Sequence, residues 1–333
     1  MKIEQTSEKI IVSCLIVLTT FAITGALIYT KSILIPFVFS LFIYQTIKPL
    51  IYLMQKHLKL PRYISASVSF VLIFIFLALL ILMTANSIES FVRDIDRYRA
   101  QLLSLTTQLT SIFDFFGMSV NTESFEKLVK SLPILNYAKK ISTDFFNFLG
   151  QSTLVFVYIL FLLMGEVQIT KSSKLIEEIQ FNISKYVSIK IITSTITGLI
   201  TFFALLVAQV EMAFLFAVLT FSFNFIPNIG SIIATMLPLP IIYLQFGFGW
   251  EFYFVLIFCT SAQFLIGNIV EPKMMGDSMD LHPITVLIFL IFWGAVWGIP
   301  GMFLAVPITS IMKIIFSRIE ATKSLSEILS GRL

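Results

Sequence analysis

Hydrophobic positions in this chain run in long blocks. Residues 10–30, 63–88, 145–165, 252–270 and 281–312 contain no Asp, Glu, Lys or Arg, and the 60 residues from Ile191 to Trp250 hold one charge, Glu211. A bilayer core needs about 20 apolar residues per spanning helix, and a charge at its centre costs about 2.5–3.5 kcal/mol. The blocks predict an all-α, polytopic helical membrane protein with about eight membrane segments: 10–30, 32–55, 63–88, 145–165, 191–210, 213–245, 252–270 and 281–316. After the third segment the pattern changes. Ile88, Phe91, Ile95, Tyr98, Leu102, Leu105, Leu109, Ile112 and Phe116 alternate at spacings of 3 and 4, which is an a/d heptad seam. It predicts a helical arm carrying the third span out of the membrane, with Gly117 and Asn121 as stops. A shorter amphipathic piece, Phe125 to Leu132, returns towards Phe145. The seam packs either within the chain or between protomers; Ile95, Leu102 and Leu109 mark it as an oligomer seam in the second case. Residues 171–188 predict an interfacial amphipathic helix.

Composition agrees with the blocks. Hydrophobic residues make up 57% and charged residues 13%, including 35 Phe, with a mean hydropathy of +0.94. A soluble domain carries about 25% charged residues, so a water-soluble globule is excluded. The net charge of +4 is too small and scattered for a nucleic-acid surface. Cys14 and Cys259 both lie in apolar runs, which argues against a disulfide framework. The apolar run after MKIEQTSEKI is too long for a signal peptide and is expected to be retained as the first span.

Orientation follows from Lys and Arg in short loops. Lys48, Lys56, Lys59 and Arg62 surround the second connection; Lys171, Lys174, Lys185 and Lys190 surround the fourth; Lys313, Arg318, Lys323 and Arg332 fill the tail. Both termini are thus expected to be cytoplasmic, with the arm outside. The expected divisions are 1–85 (spans one to three), 86–144 (the extracytoplasmic arm), 145–190 (fourth span and cytoplasmic helix), 191–316 (a C-terminal transport core) and 317–333 (a cytoplasmic tail).

Enzyme signatures are sparse. The chain has two histidines, His57 and His282, and no HExxH, Walker A, GxGxxG or CxxC motif. No enzyme activity, metal or cofactor is expected. The informative features are two interrupted apolar segments. Phe223-Asn224-Phe225-Ile226-Pro227-Asn228-Ile229-Gly230 divides 213–245, and Trp297-Gly298-Ile299-Pro300-Gly301 divides 281–316. The halves of the first are too short to cross a bilayer alone. Broken helices expose backbone groups that are tolerated only inside protein or against a water-filled cavity, where they can hold substrate or ion. The alternative is a pair of packing kinks, against which Asn224 and Asn228 argue, because amides beside a break cost energy without partners. Asn268, Glu271, Lys273 and His282 follow between the breaks. Glu271 is either an interfacial anchor or an intramembrane carboxylate that exchanges protons. Pro272 is expected to break the helix there, leaving a Glu271–Lys273 pairing free to vary.

The order NFIPNIGS, NIVEPKMMG and LHPITVLIFLIFWGAVWGIPGMFLAVPI resembles the autoinducer-2 exporter family of bacterial permeases. The resemblance rests on Asn224, Ile226, Pro227 and Gly230; on Glu271, Pro272, Lys273, Gly276, Leu281, His282 and Pro283; and on Gly298, Gly301, Ala305 and Pro307. It is strong over about 185–316. Met164-Gly165-Glu166 departs from the Asp-Gly step that commonly ends the fourth span of relatives. The resemblance implies a multi-pass bacterial inner-membrane protein, an external helical arm, homo-oligomers (pentamers among characterised relatives) and export of small solutes, with some relatives described as sodium or lithium/proton antiporters.

Together these readings predict a secondary transporter for a small polar solute such as autoinducer-2, surrounded by membrane lipid. Its substrate or ion site is expected at Asn224, Pro227, Asn228, Gly230, Asn268, Glu271, Lys273, His282, Gly298, Pro300 and Gly301. The alternatives are a monovalent cation/proton antiporter working through Glu271 and a non-transporting oligomeric scaffold built on the arm.

Overall fold

A computed structural model describes residues 2–93, 96–98, 100–101, 104, 153–163, 174–276 and 280–332. Ile95, Leu102, Leu109, the returning piece at 125–132 and Glu166 lie outside the described residues. The described chain is helical, without a strand: α1 (Lys2–Tyr29), α2 (Lys31–Leu58), α3 (Arg62–Arg93), α4 (Thr153–Leu163), α5 (Lys174–Val207), α6 (Ala213–Phe223), α7 (Ile229–Met236), α8 (Leu239–Phe246), α9 (Trp250–Leu265), α10 (Glu271–Met275), α11 (Pro283–Trp297), α12 (Ile299–Arg318) and α13 (Lys323–Ser330). Six stretches of it are long and apolar enough to cross a membrane, by length and composition. Large apolar side chains such as Phe21, Phe203, Ile257 and Ile288 are exposed, as lipid-facing positions of a polytopic membrane protein are.

The expected surface helix at 171–188 and span at 191–210 are instead one helix, α5. No Gly or Pro falls between residues 174 and 197 to stop it. Its 34 residues extend about 51 Å at 1.5 Å per residue. It ends in a Schellman-type turn, with Val210 N–H bonded to Leu205 C=O, Gln209 N–H to Leu206 C=O, and Gln209 in the left-handed region.

The fold has two compact units. The first comprises Met1–Leu53, Gln151–Val187 and Asp277–Leu333, and the second comprises Met54–Gly150 and Ser188–Gly276. The expected 191–316 core contributes to both.

In the second unit, α6, α7 and α8 form a helical hairpin. Glu211, before α6, donates its backbone N–H to Oε1 of Gln245 in α8 at 3.2 Å, so the hairpin begins and finishes at one end. Gln245 Nε2 also donates to the Tyr98 hydroxyl at 2.8 Å, the Tyr98 hydroxyl donates to the Glu211 carboxylate, and Arg97 pairs with Glu211 at 3.2 Å. Tyr98, read from the sequence as an apolar seam position, is thus anchored within its own chain. It stands beyond the apolar part of α3, and burial, then the bond to Glu211, raise its phenol well above the ordinary range. The core beneath is made of small and branched residues, including Ala204, Leu205, Ala208, Ala213, Ile242 and Val255. Gly198 allows α5 and α6 to close up: a Cβ there would lie 3.2 Å from the Ala217 carbonyl oxygen.

In the first unit, α11 and α12 form a second hairpin. Its ends are joined through Asp280, whose carboxylate pairs with Lys313 at 2.6 Å and Arg332 at 3.1 Å. Burial alone would raise the Asp280 carboxyl, but the hydrogen bond and charge of Lys313, aided by Arg332, outweigh it and hold the group below its usual value. Leu329 C=O in α13 accepts the His282 N–H at 3.0 Å, so the C-terminal helix docks on this junction.

A buried ion pair at the first helix break as the candidate functional site

Lys190 stands on a buried polar stripe of α5 with Thr193, Ser194, Thr197 and Thr201. These positions follow the i, i+3, i+4, i+7, i+11 rhythm of one helix face. The threonines satisfy themselves locally: Thr193 and Thr197 donate their hydroxyls to Ile189 C=O and Thr193 C=O. Lys190 cannot, and its partners come from elsewhere. Its Nζ lies 2.5 Å from Glu271 Oε1 and donates to the backbone carbonyl of Asn224 at 3.0 Å. Thr193 Oγ1 lies 3.5 Å from Glu271 Oε2.

Each partner is placed by an irregularity in a helix. After α6 the chain breaks. Pro227 supplies no N–H to the Asn224 carbonyl three residues earlier, and Asn228 turns the chain at φ 60°. The Asn224 side chain is buried and donates to Ser194 Oγ at 3.0 Å. Gly230 closes the turn: a Cβ there would fall 1.8 Å from the Phe223 carbonyl oxygen. Its role is therefore close approach. Glu271 is carried by a π-helical turn, Ile266–Val270, that joins α9 to α10. The structure corrects the expectation that Pro272 breaks the helix: the chain stays helical through Met275, with Pro272 in the first turn of α10 directly after the widened turn. π-Turns of this kind are frequent at functional sites.

Around the pair is a cavity of about 360 Å³, lined among others by Asn224, Pro227, Asn228, Asn268 and Glu271. Gln263, which also lines it, is 7% exposed, and neither its Nε2 nor its Oε1 has a hydrogen-bond partner. A buried polar group left in that state costs about 1–3 kcal/mol. Lys190 and Glu271 side chains are 5% and 13% exposed, and breaking such a pair by removing one member costs about 3–5 kcal/mol.

The structure thus brings five of the expected site residues to the cavity and a sixth, Gly230, to the turn beside it. Lys273 is exposed on α10, and Lys190, not Lys273, partners Glu271. His282 caps α11, its Nδ1 accepting the Ile284 N–H at 3.3 Å. Gly298, Pro300 and Gly301 form the turn of the second hairpin, in the first unit. Sequence reasoning missed Lys190, counted there as a loop charge, and Gln263. The signal for Lys190 was present in its spacing from Thr193, Ser194 and Thr197.

Helical hairpins, a helix broken beside a cavity and exposed apolar surfaces are the features of a polytopic membrane protein. Residues 12–321 match the AI-2E family transporter pattern, and the chain belongs to that family. It is 30% identical over 332 residues to a candidate transport protein of Borreliella burgdorferi, covering 96% of this chain and 90% of that one. It is 27% identical over 313 residues to the AI-2 transport protein TqsA of Escherichia coli, covering 91% and 90%. A candidate transport protein of Haemophilus influenzae is 30% identical over 302 residues, covering 85% of each.

Proposed function

We propose that the cavity beside the first break is the solute site of a secondary transporter exporting a small, uncharged, hydroxyl-bearing solute such as autoinducer-2. The orientation consistent with this reading puts both termini in the cytoplasm of a bacterial inner-membrane protein. The observation that carries it is Gln263, a residue of the cavity lining whose amide is buried with donor and acceptor both unpaired, beside a cavity of about 360 Å³. A pair of neighbouring hydroxyls answers both at once, one accepting from Nε2 and one donating to Oε1. Asn224 and Asn228 add polar groups at the same wall, and the Lys190–Glu271 pair keeps it neutral overall. A wall of apolar groups and a few amides, with its one acid paired to a lysine, favours a neutral solute, since a charged one would have to be desolvated without a counter-charge. The lack of a nucleotide-binding motif supports transport driven by gradients.

A second reading, exchange of a monovalent cation for protons, is favoured by one observation: the Glu271 carboxylate lines the cavity. In that case the cation has to displace the Lys190 ammonium first. Proteoliposomes loaded with autoinducer-2, or with sodium or lithium under a pH gradient, separate the two. Gln263→Leu should lower solute flux at least about tenfold, the penalty for removing a reader of hydroxyls, while leaving the protein as stable as before. Unchanged flux in Gln263→Leu would reject the solute reading.

A further inference from the structure

The polar partners of Lys190 Nζ are oxygens: the Glu271 carboxylate at 2.5 Å and the Asn224 carbonyl at 3.0 Å, with Thr193 Oγ1 beside the carboxylate. A carboxylate, a hydroxyl and a carbonyl freed by a helix break are the ligands with which membrane transporters hold small hard cations. Here a cation is already present, on a tether. We propose that Lys190 is a built-in substitute for a monovalent cation, its ammonium filling a Na⁺- or Li⁺-type site that truncation of the side chain would open.

Three observations favour this over a simple structural pair. The Asn224 carbonyl is not a routine partner for a lysine; it is available because Pro227 has no N–H to offer it and the chain leaves the helix at Asn228, whose N–H would have been its α-helical partner. The charge balance is one for one: a single positive charge against a single carboxylate, with no second acid among the residues lining the cavity. The geometry is also fixed from both sides, by the break at Asn224 and by the π-turn before Glu271, so removing the ammonium leaves the oxygens in place. The consequence for transport is specific. The tethered charge occupies the site through every cycle, so the wild-type protein binds no coupling cation there, and cation dependence is decided by one side chain. This builds on reading the cavity as the transport site, but it is read out by cation binding and fails separately from the choice of solute.

The test uses the purified full chain in detergent. Wild type, Lys190→Ala and Lys190→Ala/Glu271→Gln are compared in NaCl, LiCl and choline chloride at equal ionic strength, by thermal melting and by binding of radioactive sodium. Wild type should melt at the same temperature in all three salts and bind no sodium above background. Lys190→Ala should melt lower in choline and recover saturably in sodium or lithium, with about one sodium bound per chain. The double variant, which has no charge to compensate, should fold and ignore the cation. Saturable sodium binding by wild type, or by the double variant, would overturn the proposal. So would a Lys190→Ala protein that melts identically in sodium and choline. If Lys190→Ala cannot be isolated in choline, isolation in sodium but not choline is itself the expected result; failure in both salts, with a double variant that folds normally, rejects rescue by a free cation. Solute flux in proteoliposomes is measured in parallel: absence of autoinducer-2 transport would remove the solute reading and leave the cation result standing.

Discussion

At the turn of the first hairpin, a Cβ on Gly230 would fall 1.8 Å from the Phe223 carbonyl oxygen; at the second, a Cβ on Gly301 would fall 1.9 Å from the Trp293 carbonyl oxygen. Both reversals use a glycine to press the returning helix onto the preceding one. Their surroundings differ. The second turn bonds to itself, Gly298 N–H to Gly294 C=O and Met302 N–H to Gly298 C=O, and it is packed by Trp293, Trp297 and the Met302 side chain. The first gives the Asn224 carbonyl to a lysine from another helix and opens on a cavity that also holds Asn228, Gln263 and Glu271 in its lining. A helix break inside an apolar segment is therefore not by itself a binding site. What makes it one is a buried charge or amide whose needs the break does not meet internally.

The largest expected effect lies at the ion pair, which the second turn lacks. Lys190→Met leaves Glu271 buried and unpaired, at a cost of about 3–5 kcal/mol, and should abolish transport. Adding Glu271→Gln should restore most of the stability but not the transport. Melting temperatures in detergent and flux in proteoliposomes check both halves. If Lys190→Met melts like wild type, the pair is not buried in the working protein and the contrast between the hairpins collapses.

Next in size is the device the hairpins share. Gly230→Ala and Gly301→Ala should each lose about 1–3 kcal/mol by overpacking, because the contact is with backbone and no side chain can rotate away. Matching losses sustain the comparison; a loss at only one position would show that the other turn can open.

Smaller still are the two tryptophans of the second turn. Trp297 Nε1 donates to the Leu27 carbonyl at 3.0 Å, whereas Trp293 Nε1 is buried without a partner. Trp297→Phe should cost about 1 kcal/mol more than its loss of volume, from the broken bond. Trp293→Phe should cost less than its loss of volume, because the unpaired N–H is removed with the ring, and neither should change solute selectivity. A selectivity change in Trp293→Phe would mean that the second turn also meets solute.

Both breaks were legible in the sequence because Pro and Gly interrupt long apolar runs. The polar stripe was equally visible in principle, yet Lys190 borders a run of positive loop residues and its charge suggests water. Its burial depends on Glu271, 81 residues away in the chain (271 minus 190), and on a π-turn that no periodicity announces. Gln263 leaves no local mark at all: a single amide in an apolar helix reads the same whether it faces lipid, protein or a cavity. The merging of two expected helices into α5 is the simpler case, since nothing between residues 174 and 197 could have separated them. Tyr98 shows the limit of heptad reading. An aromatic at a seam position satisfies the pattern, while its hydroxyl decides what it packs on.

The hairpin ends give the smallest effect, and the two should respond to pH in opposite directions. The first is tied through Tyr98, whose phenol is raised above its ordinary value by burial and by Glu211. A raised folded value means that the neutral hydroxyl stabilises the fold fully below about pH 10, its unfolded value, and that this contribution fades as pH rises from there. The second is tied through Asp280, held below its usual value against the effect of burial by Lys313 and Arg332. A lowered folded value means that the carboxylate contributes fully above about pH 3.9 and fades as pH falls through the folded value. Asp280 is a third exposed, so its pairs are screened and worth less than about 1 kcal/mol. Melting curves of wild type, Tyr98→Phe and Asp280→Asn from pH 3 to 11 should show two converging limbs. The Tyr98→Phe deficit should shrink only towards the alkaline limit and the Asp280→Asn deficit only towards the acid limit, with both constant between about pH 5 and 9. A deficit that changes inside that window would assign the dependence to another group and unlink the hairpin ends from these two residues.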